Sequence, residues 1–414
     1  MTCSNIKSIS VVSLVMALAP AVAFAQNLFN ESDPHAPVLM ITGDRAVLEA
    51  HEERRDISCD VTPVKPALGF DLRFHSGYEL SIPLKDLVGD GNVLTMIFRV
   101  FPADRPQEAR YFYQRITVPS IPTGTGGSAY LQGSFDVGEG DYKVDWLMRD
   151  RAERFCSSSW DIAAHLPEPD LRAGMRIQPW SIEAADAGQF KDEPPVNRMS
   201  ADAAADPPLK VKILINFAPQ RPNSAVLQPV DTSALVTILR TIAREPRIGT
   251  FSIVAFNLQE ERILYRQENA GQIDFPALGA ALETLKLGTI NLKRLEQKHS
   301  ETEFLTNLIQ TELGGEDRPD ALIFAGPKAI LDENIPTDSL KEIGRVDYPV
   351  FYMNYNLTPQ EVPWRDSIGR AVKYFRGEEF TISRPRDLWS AVTDIVSRIV
   401  RARNVRRSFA APSE

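Results

Sequence analysis

The chain has 414 residues, of which 43% are hydrophobic and 24% charged, the composition of a folded globular protein long enough for two or three domains. Its formal charge of −9 and pI near 5.3 argue against a nucleic-acid binder, which carries a basic face. Three cysteines are too few for a disulfide scaffold, and five scattered histidines speak against a zinc enzyme.

Residues 1–25 carry one cation, Lys7, then an apolar run from Ile9 to Phe24 and a small-x-small site, Ala23-Phe24-Ala25. This is the layout of a cleavable secretory signal. The run is shorter than the ~20 residues a membrane span needs and contains Pro20. No cysteine follows it, so no lipid anchor is indicated, and no later segment is long and apolar enough to span. The expectation is an exported protein, periplasmic or extracellular, with no integral membrane segment once the signal is removed.

Residues 38–165 alternate with a period of two. Leu94, Met96, Phe98 and Val100 share one face, as do Tyr142, Val144, Trp146 and Met148. Similar runs at 78–84, 111–118 and 129–137 are separated by turns at 89–92, 119–127 and 138–140. Short strands at this spacing predict an antiparallel, immunoglobulin-like β-sandwich. Cys59 and Cys156 fall in this segment, and two such cysteines in an oxidising compartment are expected to pair.

Residues 166–208 hold seven of the 30 prolines and eight acidic residues, which reads as an extended linker between domains. Trp180 and Phe190 are its two candidates for pinning it to a neighbour.

From Leu209 to about residue 405, apolar strands alternate with amphipathic helices. Strands are predicted at 210–217, 250–258, 320–325 and 348–354, with an edge hairpin at 261–267. Helices are predicted at 231–245, 301–313 and 386–403. Strands apolar on both faces require a mostly parallel, doubly wound α/β sheet covered on both sides. The basic-to-polar tail 406–414 closes the chain, and its cluster of arginines with Arg398, Arg401 and Arg403 suits a helix C-terminus.

The element order over 209–405, including a strand ending Ala255-Phe256 and an antiparallel edge strand, resembles a von Willebrand factor A-type domain. Preceded by a sandwich, it looks like a type of exported bacterial protein that is mostly uncharacterised. The resemblance implies a metal site at the C-terminal edge of the sheet, built from Asp-x-Ser-x-Ser, a loop threonine and a second Asp. Here the motif falls on Asn216-Phe217-Ala218-Pro219-Gln220 and the second Asp on Ala325, with Thr302 the one match for the threonine. Magnesium needs hard oxygen ligands with one or two carboxylates, so the expectation is a degenerate site with no metal and no cofactor.

Other motifs yield no chemistry. Gly124–Gly127 lies between strands rather than before a helix, and Val88–Asn92 lacks calcium-loop spacing. No GxSxG elbow, HExxH pair or catalytic-cysteine signature occurs, and Glu260-Glu261 and Glu378-Glu379 read as solvated edges. The resulting expectation is a non-enzymatic interaction or scaffold protein whose partner is another protein. The alternatives are an extracytoplasmic enzyme with a site assembled from scattered residues, or a small-ligand binder at the sheet crevice. In the A-type family the cation commonly meets a partner carboxylate. Arg221 and Lys328, with Asn216 and Gln220 as hydrogen-bonding neighbours, are the candidates to supply that positive charge directly.

Overall fold

The computed structural model describes residues 27–28, 40–50, 53–166, 175–185, 189–196, 207–220, 227–282, 300–315, 318–331, 335–357 and 365–410. The leader 1–25 and Arg221 lie outside these residues.

Two antiparallel sheets form the N-terminal part. One contains β1 (Asn27–Leu28), β5 (Arg110–Val118), β4 (Asn92–Pro102), β7 (Gly140–Arg149) and β8 (Phe155–Ala164), in that spatial order. The other contains β2 (Asp60–Leu68), β3 (Phe74–Pro83), β6 (Ser128–Val137) and β9 (Ile182–Ala184). The faces read from the alternation of β4 and β7 meet the second sheet in one apolar core. At its centre Tyr78, Phe98, Phe112 and Trp146 pack with ring centroids 5.0–5.6 Å apart. Cys59, just before β2, is bonded to Cys156 of β8, with Cα atoms 6.4 Å apart. The bond therefore joins an edge strand of one sheet to an edge strand of the other.

Two features depart from the period-two reading. A helix, α1 (Thr42–Ala50), opens the region; Val47 and Leu48 cover the outer face of the first sheet at Ile97, Tyr113, Leu147 and Phe155. The proline-rich stretch also adds a strand, because β9 pairs with β6 from Phe135↔Ala184 to Val137↔Ile182. Trp180 lies over Tyr142 of the sandwich, whereas Phe190 packs against Gly279 of the C-terminal part.

The C-terminal part is a six-stranded sheet with order β12-β11-β10-β13-β14-β15. Its strands are β10 (Leu209–Asn216), β11 (Ile248–Asn257), β12 (Arg262–Ala270), β13 (Ala321–Gly326), β14 (Val350–Tyr355) and β15 (Glu378–Ile382). All neighbours are parallel except β12, which returns antiparallel on β11 as a hairpin edge. Alternate residues of β10 serve opposite layers. Val211, Ile213 and Ile215 face α2 (Pro229–Ala243), α3 (Phe275–Leu282) and α7 (Pro385–Ala410). Leu214 faces α4 (Ser300–Gly314), α5 (Thr337–Glu342) and α6 (Ser367–Tyr374). The direction of winding reverses between β10 and β13, the position where open α/β sheets hold ligands. Helix α7 runs on to Ala410, into the residues expected to be a tail, and two of the arginines along this end of it are paired. Arg398 bridges Asp394 and Glu378, and Arg406 meets Asp320 at 3.6 Å.

Among the described residues, no helix is long and apolar enough to cross a membrane.

Candidate functional site

The switch point between β10 and β13 is closed by the chain itself. Asn216 ends β10, is 1% exposed, and accepts the Leu258 amide on Oδ1 at 3.1 Å. Gly326 ends β13 with φ 150°, and a Cβ there would stand 2.9 Å from Asn216 Cβ, so only glycine permits the approach. Gln220 is also buried. Its Oε1 accepts the Leu357 amide at 2.7 Å and its Nε2 donates to Asn356 Oδ1 at 3.2 Å. Asp231, in the first turn of α2, accepts from the Gln220 and Gln228 amides and from the Tyr355 hydroxyl at 2.9 Å. Burial and the neighbouring Asp231 hold the Tyr355 phenol well above its ordinary value, so it stays a donor. These contacts tie the 217–220 loop, the start of α2 and the end of β14 together.

The residues present do not fit the divalent cation that an A-type domain implies. Asn216 and Gln220 have committed their side-chain oxygens to backbone amides, and Ala218 and Ala325 contribute only methyl groups. Thr302 is buried in the first turn of α4. Among the described residues, no group of three or more His, Cys, Asp or Glu is placed to hold a metal.

Three of the four proposed partner-binding residues, Asn216, Gln220 and Lys328, fall within the described residues, and none of them is left open to a partner. Asn216 and Gln220 face inward, for the reason just given: each satisfies a backbone N–H that burial would otherwise orphan. Lys328 points to Glu379 at 3.4 Å, so its charge is already met. Beside that pair, burial pushes the Asp366 carboxyl up to about 6, against the lowering effect of the Gly369 and Ala329 amides. Arg221, the fourth, lies outside the described residues.

A different constellation stands where the sandwich meets the α/β part. The β2–β3 hairpin tip, Gly69 to Arg73, turns through Leu72 at φ 65° and inserts Phe70 into the core of the α/β part. Beside it, His75 is buried. Its Nδ1 donates to Asp136 Oδ1 at 2.7 Å and its Nε2 to Asp71 Oδ1 at 3.0 Å. Burial alone would depress the imidazole, but hydrogen bonds to the two carboxylates and their charges outweigh it and lift the ring to about 10. Asp71, despite burial, is held below its ordinary value by His75 and Arg73. Arg73 also reaches Asp136 at 3.2 Å and Glu183 at 3.0 Å. From α2, Ser233 Oγ lies 3.4 Å from His75 Nε2. Gly69 is needed here, since a Cβ would collide with both Asp71 Oδ1 and His75 Nε2.

This cluster lines one end of a cavity of about 390 Å³ between the two parts. Helix α2 presents Ser233, Thr237 and Arg240 to it, joined by its C-cap residue Arg244, at the three- and four-residue spacing of one helical face. Phe70, Leu72 and Arg176 line the sandwich side, and Trp389 from α7 stands at 62% exposure. None of this was visible in the sequence, because His75 lies 61 residues from Asp136 and 158 from Ser233. The nearest sequence signal is the short Asp71-x-x-x-His75 spacing.

No family model matches the chain. No curated protein matches it either. Among solved structures, it is similar to a mutant PilB minor pilin from Streptococcus sanguinis at 8% identity, covering 73% of this chain and 87% of that one, with a TM-score of 0.25. It is similar to β-glucuronidase 2 from Bacteroides uniformis at 10% identity over 72% of this chain and 36% of that one, with a TM-score of 0.19. This chain therefore spans little more than a third of that protein. A GH3 β-glucosidase from Bifidobacterium adolescentis is similar over 27% of this chain and 18% of its own, at 13% identity and a TM-score of 0.16. Likenesses this loose carry no argument about activity.

Proposed function

We propose that the chain is an exported, non-enzymatic interaction protein: an immunoglobulin-like sandwich joined to a von Willebrand factor A-like domain that engages a protein partner without a cation. The observation that carries the reading is the closed sheet edge, where Asn216 and Gln220 bind backbone in place of a metal. The strand order with an antiparallel second hairpin strand supports the A-type assignment. The secretory layout of residues 1–25 and the Cys59–Cys156 bond support export.

A second reading has one specific observation behind it. Ser233, His75 and Asp136 form the outline of a hydrolase triad. A triad needs a neutral imidazole whose Nε2 lone pair takes the serine proton. Here Nε2 carries its own proton, directed at Asp71, and a ring titrating near 10 stays charged at neutral pH. Ser233 therefore meets a donor rather than a base, and the cluster is better suited to clasping than to catalysis.

Two measurements separate these readings. Adding magnesium or manganese should leave the melting temperature unchanged, since a ligand of the native state stabilises it by mass action. A concentration-dependent rise would restore a cation-dependent domain. Treatment with a fluorophosphonate probe should leave Ser233 unmodified; labelling lost in Ser233→Ala would establish the hydrolase.

A further inference from the structure

The cavity between the two parts is larger than a clasp requires. At about 390 Å³ it lies within the ~300–1,000 Å³ range of small-ligand sites, and a domain junction is where such sites concentrate. Its chemistry is divided. Phe70, Leu72 and Val236 offer an apolar surface, and Trp389 leaves an indole face open at the rim. The ionic lining is mostly positive: Arg176, Arg240, Arg244 and the His75 imidazolium, against Asp71 alone.

The four cations are not equivalent. His75 is saturated by Asp71 and Asp136. Arg240 and Arg244 share Glu193, at 3.0 and 2.7 Å. That shared carboxylate already answers both guanidiniums, so neither calls for a ligand. Arg176 is exposed, and its guanidinium has no ion pair or hydrogen bond among the described residues. A planar fork of donors facing a partly apolar cavity favours a carboxylate or sulfonate, which it can grip with two parallel bonds. A cation would be repelled by Arg176, and a neutral apolar molecule would leave its guanidinium unanswered.

We propose that this cavity binds a small organic anion with an aromatic ring, its acid group on Arg176 and its ring between Trp389 and the apolar surface. None of the residues that carry the closed sheet edge, Asn216, Gln220 and Asp231, lines this cavity, so its failure would leave the interaction reading intact. The metal measurement does not bear on it, whereas Ser233, the target of the fluorophosphonate, is part of its lining.

The test uses the full chain and two probes of matched shape. 8-Anilinonaphthalene-1-sulfonate carries the ring and the anion, and N-phenyl-1-naphthylamine carries the ring alone. Fluorescence titration should show one saturable site per chain for the sulfonate, weakened by added salt, and markedly weaker binding of the neutral probe. Arg176→Ala should weaken the sulfonate by about tenfold, the loss expected for a charge-assisted hydrogen bond, and leave the neutral probe unchanged. Trp389→Ala should weaken both. Tyr374→Ala, at an exposed aromatic outside the cavity lining, should affect neither. Both lining residues are exposed, so neither substitution removes core packing. The proposal is overturned if the two probes bind equally, if binding does not saturate at one site, or if Arg176→Ala and Trp389→Ala leave sulfonate binding unchanged.

Discussion

His75 bonds two carboxylates with one ring, Arg73 supplying the second positive charge, and this governs how stability depends on pH. Its folded value, about 10, is above its ordinary 6.5. Its contribution is therefore complete below about pH 6.5 and disappears as pH rises toward 10. Asp71 has the opposite sign: lowered from 3.8, it contributes above that value and loses its effect as pH falls through its folded value. The clasp should be strongest between about pH 4 and 6.5. His75→Gln leaves Asp71 and Asp136 with Arg73 alone and should cost about 3–5 kcal/mol at pH 6, the range for breaking a buried pair. Urea denaturation at pH 6 and pH 10 measures this. The wild-type protein should lose stability between the two, whereas the variant should lose much less. Equal pH dependence in both would remove His75 from the account. Residue chemistry of this kind was legible only in part. The absence of carboxylates at 216, 218, 220 and 325 was plain in the sequence. What Asn216 and Gln220 do instead was not, because their partners Leu258 and Leu357 come from other loops. Lys212 shows the same limit: in a mostly apolar strand it lies buried against Glu312 of α4 at 2.8 Å, a partner 100 residues away.

Elements were easier to read than their partners. The strands with clean alternation, β4 and β7, emerge with the expected faces inward, since one side of each meets the opposing sheet. The edges were harder. β2 contains Pro63 and Pro66, which cannot donate to a ladder and suit an edge strand, and β8 is rich in serine. β9 has only three residues and sits inside a stretch whose composition reads as linker; it forms because β6 offers it an open edge. The disulfide matters because it ties two such edges, β2 and β8. It closes a loop of 97 residues, for which the chain-entropy model allows roughly 4–5 kcal/mol. Cys59→Ser with Cys156→Ser should lower stability by about 2–5 kcal/mol in denaturant titration, and dithiothreitol should produce the same loss in the native protein. If reduction leaves the denaturation midpoint unmoved, the two edges are held by packing alone.

For the whole molecule, the question is whether the sandwich and the α/β part unfold separately. A proline-rich, acidic connection alone would let them. The junction adds direct bonds: Gln228 Nε2 donates to Glu79 Oε1 at 2.6 Å, and Gln132 Nε2 to the Leu227 carbonyl at 3.2 Å. Phe70 joins the two more strongly than either bond. It belongs to the sandwich by sequence yet lies 4% exposed in the α/β core cluster, carried there by a hairpin tip that the clasp around His75 braces. Removing a buried phenylalanine costs about 3–5 kcal/mol, more than any single hydrogen bond across the junction. Phe70→Ala should therefore do two things at once. It should destabilise the α/β part while leaving the sandwich core of Tyr78, Phe98 and Trp146 untouched. It should also uncouple the two, so that a single calorimetric transition in the wild-type protein separates into two, the α/β part melting first. Ser233→Ala is the contrasting variant: it removes a 3.4 Å contact and should leave one transition at nearly the same temperature. Two transitions already present in the wild-type protein would show that Phe70 fills a core without joining the domains.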